Sequence, residues 1–121
     1  MAETLKASLP ALLAQLPRPA SSAWPEGEPF VDAIHHGSMS VEVFAPRGED
    51  RQHPHTQDEL YIVVSGQARF EHNAAMNEAR TGDVLFVPAG EPHRFHDMSA
   101  DFVTWVIFWG PAGGEGSTVH V

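Results

Sequence analysis

At 121 residues the chain has the length of one ordinary domain, because two halves of about 60 residues would each bury only a marginal core. Seven Lys plus Arg against sixteen Asp plus Glu give a formal charge of -9, which leaves no basic surface for a phosphate backbone or an anionic leaflet and excludes nucleic acid and membrane as expected partners. The absence of Cys removes disulfides, thiolate metal sites and a Cys nucleophile, so the eight His residues become the natural source of chemistry.

From the N-terminus, Leu5, Leu9, Leu12, Leu13 and Leu16 recur at helical spacing, with Ser8 placed to cap, Pro10 in the first turn and Pro17 at the end. One short amphipathic helix is expected there. The run has one Lys, an early Glu and an internal Pro, a poor match to a signal peptide, so a cytoplasmic protein is expected. Four prolines between Pro17 and Pro29 predict an extended surface arm pinned by Trp24, which makes residues 1–29 a helix and arm and residues 30–121 a single domain, a sandwich or a small closed barrel by its strand spacing.

After Phe30 the texture changes to short Val-, Phe-, Ile- and Trp-rich runs separated by turn clusters, an all-β pattern. Along Met39–Phe44, Met39, Val41 and Val43 alternate with Ser40 and Glu42, which predicts a strand with one wet face. His53 and His55 lie two apart, so on an extended strand their rings share a face. Glu59, Tyr61 and Val63 share a face of the next strand, where a carboxylate is expensive unless paired or bound to metal. Farther on, His93, Phe95 and Asp97 share one face and Arg94 and His96 the other, so His93 is the expected fourth ligand. Tyr61 is either barrel core or a proton donor to substrate. His35, His36, His72 and His120 fall in turns or at the terminus and are read as solvated.

These residues resemble the two motifs of the cupin superfamily. The first runs from His53 and His55 through Glu59 to Gly66, and the second through Gly82, Pro88, Gly90 and His93, with Gln67 to Thr81 between them. Gly48 stands four residues before His53 where the pattern has five, and Asp97 replaces the usual Asn. The resemblance implies a small single-domain cupin: an all-β double-stranded β-helix, or jelly-roll barrel, with a short N-terminal helix and a divalent metal held by His53, His55, Glu59 and His93. Such donors suit Fe(II), favoured here, or Mn, Ni, Co, Cu or Zn, and leave positions open for a ligand. The expected function is a metal-dependent oxygenase of a small organic substrate, with Glu59 and Tyr61 as the candidate catalytic residues. The alternatives are a redox-neutral isomerase, lyase or decarboxylase, and a module that binds a small molecule without turnover.

The run Phe102–Trp109 is apolar on both faces. One face, with Thr104, Val106 and Phe108, or the other, with Val103, Trp105, Ile107 and Trp109, must lie outside the barrel. A homodimer is the expectation, with the N-terminal helix as the rival cover.

Overall fold

The computed structural model describes residues 5–116; the expected solvated His120 lies outside them. Helix α1 (Leu9–Leu13) begins where Pro10 is tolerated, since the first amides of a helix have no internal acceptor. Ser8 sits at the N-cap in extended conformation, but its side chain makes no capping bond. Its carbonyl instead accepts the Leu12 amide at 3.0 Å. The arm that follows is closed by reciprocal Arg18–Glu28 backbone bonds of 2.9 and 3.1 Å. Trp24 is buried edge-on against Phe30 and Phe44, with ring centroids 6.3 and 6.1 Å away.

Eight strands follow: β1 (Phe30–His36), β2 (Met39–Phe44), β3 (Asp58–Ser65), β4 (Gln67–His72), β5 (Ala75–Arg80), β6 (Val84–Val87), β7 (His93–His96) and β8 (Val103–Trp109). All pairings are antiparallel, in one sheet ordered β1-β2-β8-β3-β6 and another ordered β5-β4-β7. The sheets face each other across a core in which Phe95 packs against Tyr61, Phe70 and Phe102 with centroids 4.8–4.9 Å apart. Aromatic pairs at this spacing add about 0.5–1.5 kcal/mol each beyond their buried area. This is the expected double-stranded barrel with one short helix. Gly66 makes the β3–β4 turn at φ +70°, where a Cβ would come within 2.7 Å of the Phe102 amide nitrogen, so only glycine fits.

Two strand readings need correction. His53, Pro54 and His55 are not on a strand, since residues 51–57 are irregular. Pro54 has no amide hydrogen to give a ladder, and the segment is held instead by the Gly90 amide donating to the His55 carbonyl at 2.7 Å. Along β2 the face holding Glu42 and Phe44 is the barrel interior, whereas Val43 lies outside it beneath α1 with Val31, Val103 and Leu12. The alternation was legible, but which face met the barrel was not. On β8, Val106 and Phe108 line the interior, while Val103 and Trp105 meet the helix cluster.

Candidate metal centre

Three elements bring the site together. Glu59 is the second residue of β3, between Phe108 of β8 and Val87 of β6 in register, so its side chain leaves the sheet among apolar neighbours and is 1% exposed. His93 opens β7 in the opposite sheet, directly after the Pro88–Pro92 turn, and is 7% exposed. His55 arrives from the irregular segment, with its ring 4.6 Å from that of Phe108. The neighbouring Asp58 braces the surrounding loops, accepting the Ala89 amide at 3.0 Å and the Glu115 amide at 2.9 Å.

Imidazole and carboxylate atoms of His55, Glu59 and His93 all lie within 4.8 Å of one another. His93 Nε2 is 2.8 Å from Glu59 Oε1, and His55 Nε2 is 3.8 Å from Glu59 Oε2. Close as they are, Glu59 Oε1, Glu59 Oε2 and His93 Nε2 are buried with no hydrogen bond of acceptable geometry. Buried polar atoms left this way cost about 1–3 kcal/mol each, more when charged. Donors about 2.1 Å from a shared ion stand about 3.0 Å apart at right angles and about 4.2 Å apart when opposite; the 3.8 Å His55–Glu59 distance lies in that range and the 2.8 Å His93–Glu59 distance just below it. His93 Nδ1 lies 2.8 Å from the Glu91 carbonyl, which accepts its proton and leaves the Nε2 lone pair facing Glu59. The residues present therefore fit a divalent metal ion.

Burial favours neutral rings at both histidines. At His55 it prevails and lowers the pKa. At His93 the adjoining Glu59 and the Glu91 carbonyl outweigh it and raise the pKa.

His53 is exposed and lies outside the three-residue group, though it lines the same cavity as His55 and Glu59. Tyr61 is fully buried and also borders that cavity, but its hydroxyl donates to Gln52 Oε1 at 2.9 Å. Burial and then the charge of Glu59 hold its pKa well above the usual range. Gln52 is fixed in turn by donating from Nε2 to Asp50 Oδ2 at 2.6 Å. Asp50, 1% exposed, also accepts the Gln52 and Phe95 amides at 3.0 and 2.9 Å. This Asp50–Gln52–Tyr61 chain escaped the sequence reading, because Asp50 sits in a run of polar residues with the texture of a solvated loop. Asp97, expected beside His93, has φ +50° and falls past the end of β7. His35, His36 and His72 were expected in turns, but the first two end β1 and the third ends β4, where it is half-buried against Glu91 at 2.6 Å; His35 and His96 lie beside Asp32 and Glu71.

The cavity holds about 370 Å³. Its walls are the rings of Trp24, Phe30, Phe44 and Phe108 with Val106, and Glu42 of β2 also faces into it. Glu42 is the other residue missed, since a carboxylate alternating with valines reads as solvent-facing. A larger hollow of about 750 Å³ lies between the arm and the barrel, but none of the three metal-competent residues borders it. We place the site at the smaller cavity because the orphaned donors are there.

Residues 40–109 match the Cupin domain family. Among curated proteins, an uncharacterized protein of Streptomyces coelicolor is 37% identical over 84 residues, covering 68% of this chain and 80% of its own length. Among solved structures, the DMSP lyase DddQ from Ruegeria pomeroyi superposes with a TM-score of 0.58 at 25% identity, over 67% of this chain. This chain spans only 46% of that lyase. A Ralstonia eutropha protein provisionally assigned as a mannose-6-phosphate isomerase superposes with a TM-score of 0.55 at 27% identity, over 68% of this chain and 83% of its own.

Proposed function

The chain belongs to the cupin family, and from that membership and the orphaned donors of His55, Glu59 and His93 we propose that it holds one divalent transition metal and acts with it on a small organic molecule. The observation that carries this reading is the convergence of three buried donor atoms on Glu59 and His93, close to one another yet without a well-aligned hydrogen bond, which bonds to a metal would satisfy. Two imidazoles and one carboxylate are the donor set of non-haem Fe(II) oxygenases, and this supports an Fe(II)-type oxygenase as the first reading. His53, on the wall of the same cavity, is the proposed fourth donor.

When bound, the metal supplies Lewis acidity toward a substrate oxygen and, if it is iron, electrons for oxygen chemistry. The chain's own residues do the rest. The aromatic wall excludes water and packs the substrate's apolar part. Glu59 is the proposed proton acceptor beside the substrate. Tyr61 is a proton donor only if its hydroxyl turns away from Gln52, so in the resting arrangement it holds the wall in place.

A redox-neutral lyase or isomerase is the second reading, supported by the named activities of the two solved structures at 25 and 27% identity. Metal analysis of protein purified without a chelating tag tests the common premise, and about one ion per chain is expected. A protein that takes up none of Fe, Mn, Co, Ni, Cu or Zn overturns it. Oxygen uptake with turnover supports the oxygenase, turnover without uptake supports the second reading, and ligand binding without turnover leaves a binding module.

A further inference from the structure

Glu42 is in register with Val106 of β8, and Val106 with Tyr61 of β3, so its carboxyl emerges on the interior wall that also holds the metal-competent residues. It borders the cavity with the rings of Trp24, Phe30, Phe44 and Phe108. Its charged neighbours are carboxylates: Asp32, its cross-strand partner on β1, and Glu59 on β3. The one guanidinium bordering the cavity, that of Arg51, lies 3.2 Å from Glu49 at the surface. Burial first, then Asp32 and Glu59, push the Glu42 pKa up to about 8. A carboxyl so placed shares a hydrogen bond with Asp32 and, among the described residues lining the cavity, has no free guanidinium or ammonium to compensate it.

The surroundings indicate what the cavity accepts at this end. An anionic group would meet Glu42 and Glu59 in a space of low dielectric, and a purely apolar group would leave the cavity face of the Glu42 carboxyl without a partner. A protonated amine would donate a charge-assisted hydrogen bond to the Glu42 carboxylate, whose ionised form its positive charge favours, and would meet the negative faces of the aromatic rings.

We propose that Glu42 selects substrates carrying a protonated amine, held at this wall while an oxygen at the substrate's other end meets the metal. This rests on the metal-dependent reading for the oxygen end only; recognition of the amine belongs to Glu42 and the rings.

The test is titration calorimetry on the metal-loaded protein with pairs of acids alike in shape: 4-aminobutanoate against pentanoate, and 5-aminopentanoate against hexanoate. The expected result is binding of at least one amino acid about tenfold tighter than its methyl-ended partner. In the Glu42→Gln variant that preference falls to about one, with metal content unchanged. Equal or weaker binding of both amino acids by the wild-type protein overturns the proposal without recourse to any variant. So does a preference that survives Glu42→Gln, or a loss of metal in that variant. Butylammonium, titrated into protein stripped of metal, reads the amine end alone. Binding that depends on Glu42 is expected even if the metal reading fails, and no detectable binding there overturns the amine site.

Discussion

Glu59 and Glu42 stand on the same interior wall two strands apart, and the groups around them give them different tasks. Glu59 is flanked by imidazoles whose lone pairs converge with its own oxygens, whereas Glu42 meets another carboxyl and aromatic rings. Replacing His55 or His93 with Ala should therefore lower metal affinity by more than about tenfold, since loss of even an outer partner of a ligand typically costs this much. His53→Ala should lower it less, because His53 is exposed and outside the converging group. Elemental analysis after dialysis against a competing chelator would measure both. Glu42 carries a second prediction. Its pKa is raised from 4.5 to about 8 in the folded chain, so the folded state holds a proton that the unfolded state releases between those values. Its contribution to stability is full below about pH 4.5 and is lost as pH rises through about 8. In metal-free protein at pH 9, Glu42→Gln should be the more stable form by roughly 2 kcal/mol, several degrees in Tm, with little advantage at pH 4.5. Thermal melts across that range would show it, and parallel wild-type and variant curves would refute it.

At the scale of elements, α1 behaves as a lid on the outside of the larger sheet. Leu12 is buried against Val31, Val43 and Val103, and Leu9, Leu13 and Leu16 pack around the same cluster. A helix of five residues has no stability of its own in water, so these contacts hold it in place. Leu12→Ala should cost about 2–4 kcal/mol of stability, since it opens a cavity that β-sheet backbone cannot collapse to fill. Urea titration followed by far-ultraviolet circular dichroism would test this, and a loss under about 0.5 kcal/mol would mean that the lid is dispensable. Helix and strands were legible because their signals are local: leucine spacing and short apolar runs bounded by Gly, Asp and Asn. The arm was expected to run extended, but it folds back into a loop closed by the Arg18–Glu28 pairing, a contact between residues ten apart that proline density does not encode. The orientation of β2 was not. Both of its faces are covered, one by α1 and one by the cavity, and alternation alone does not say which cover belongs to which face.

For the whole molecule, the lid covers only part of the apolar outer face. Val41, Ile107, Leu60 and Phe86 form one cross-strand row, and Val43, Trp105, Ile62 and Val84 form the next. The helix cluster takes in Val43 and Trp105, but Val84 and Phe86 on edge strand β6 are 59% and 37% exposed. The Phe86 ring lies 6.0 Å from that of Trp109, which extends the patch. Contiguous apolar rows ending on an edge strand are the kind of surface soluble chains bury by association. We expect a homodimer through this face, with a mass by light scattering of about twice 13.2 kDa. A Val84→Lys, Phe86→Glu double variant should then run as a monomer that retains its metal. A wild-type monomer at micromolar concentration would reject the dimer.

Residue type and spacing alone determined the all-β class, the N-terminal helix, and a metal-competent set containing His55, Glu59 and His93, because ligand chemistry and turn chemistry are written in neighbouring residues; the barrel itself followed from the resemblance of those motifs to cupins. Only the tertiary structure decided that Pro54 keeps the His53–His55 segment off the sheet, leaving His53 at the rim. It also decided that Glu42 faces a cavity rather than water, and that Asp50 is buried beneath Gln52 and Tyr61. Those outcomes depend on which strand pairs with which, β2 beside β8 and β7 beside β4. Such pairings arise from closing the barrel over distant segments, where no short stretch of sequence carries the information.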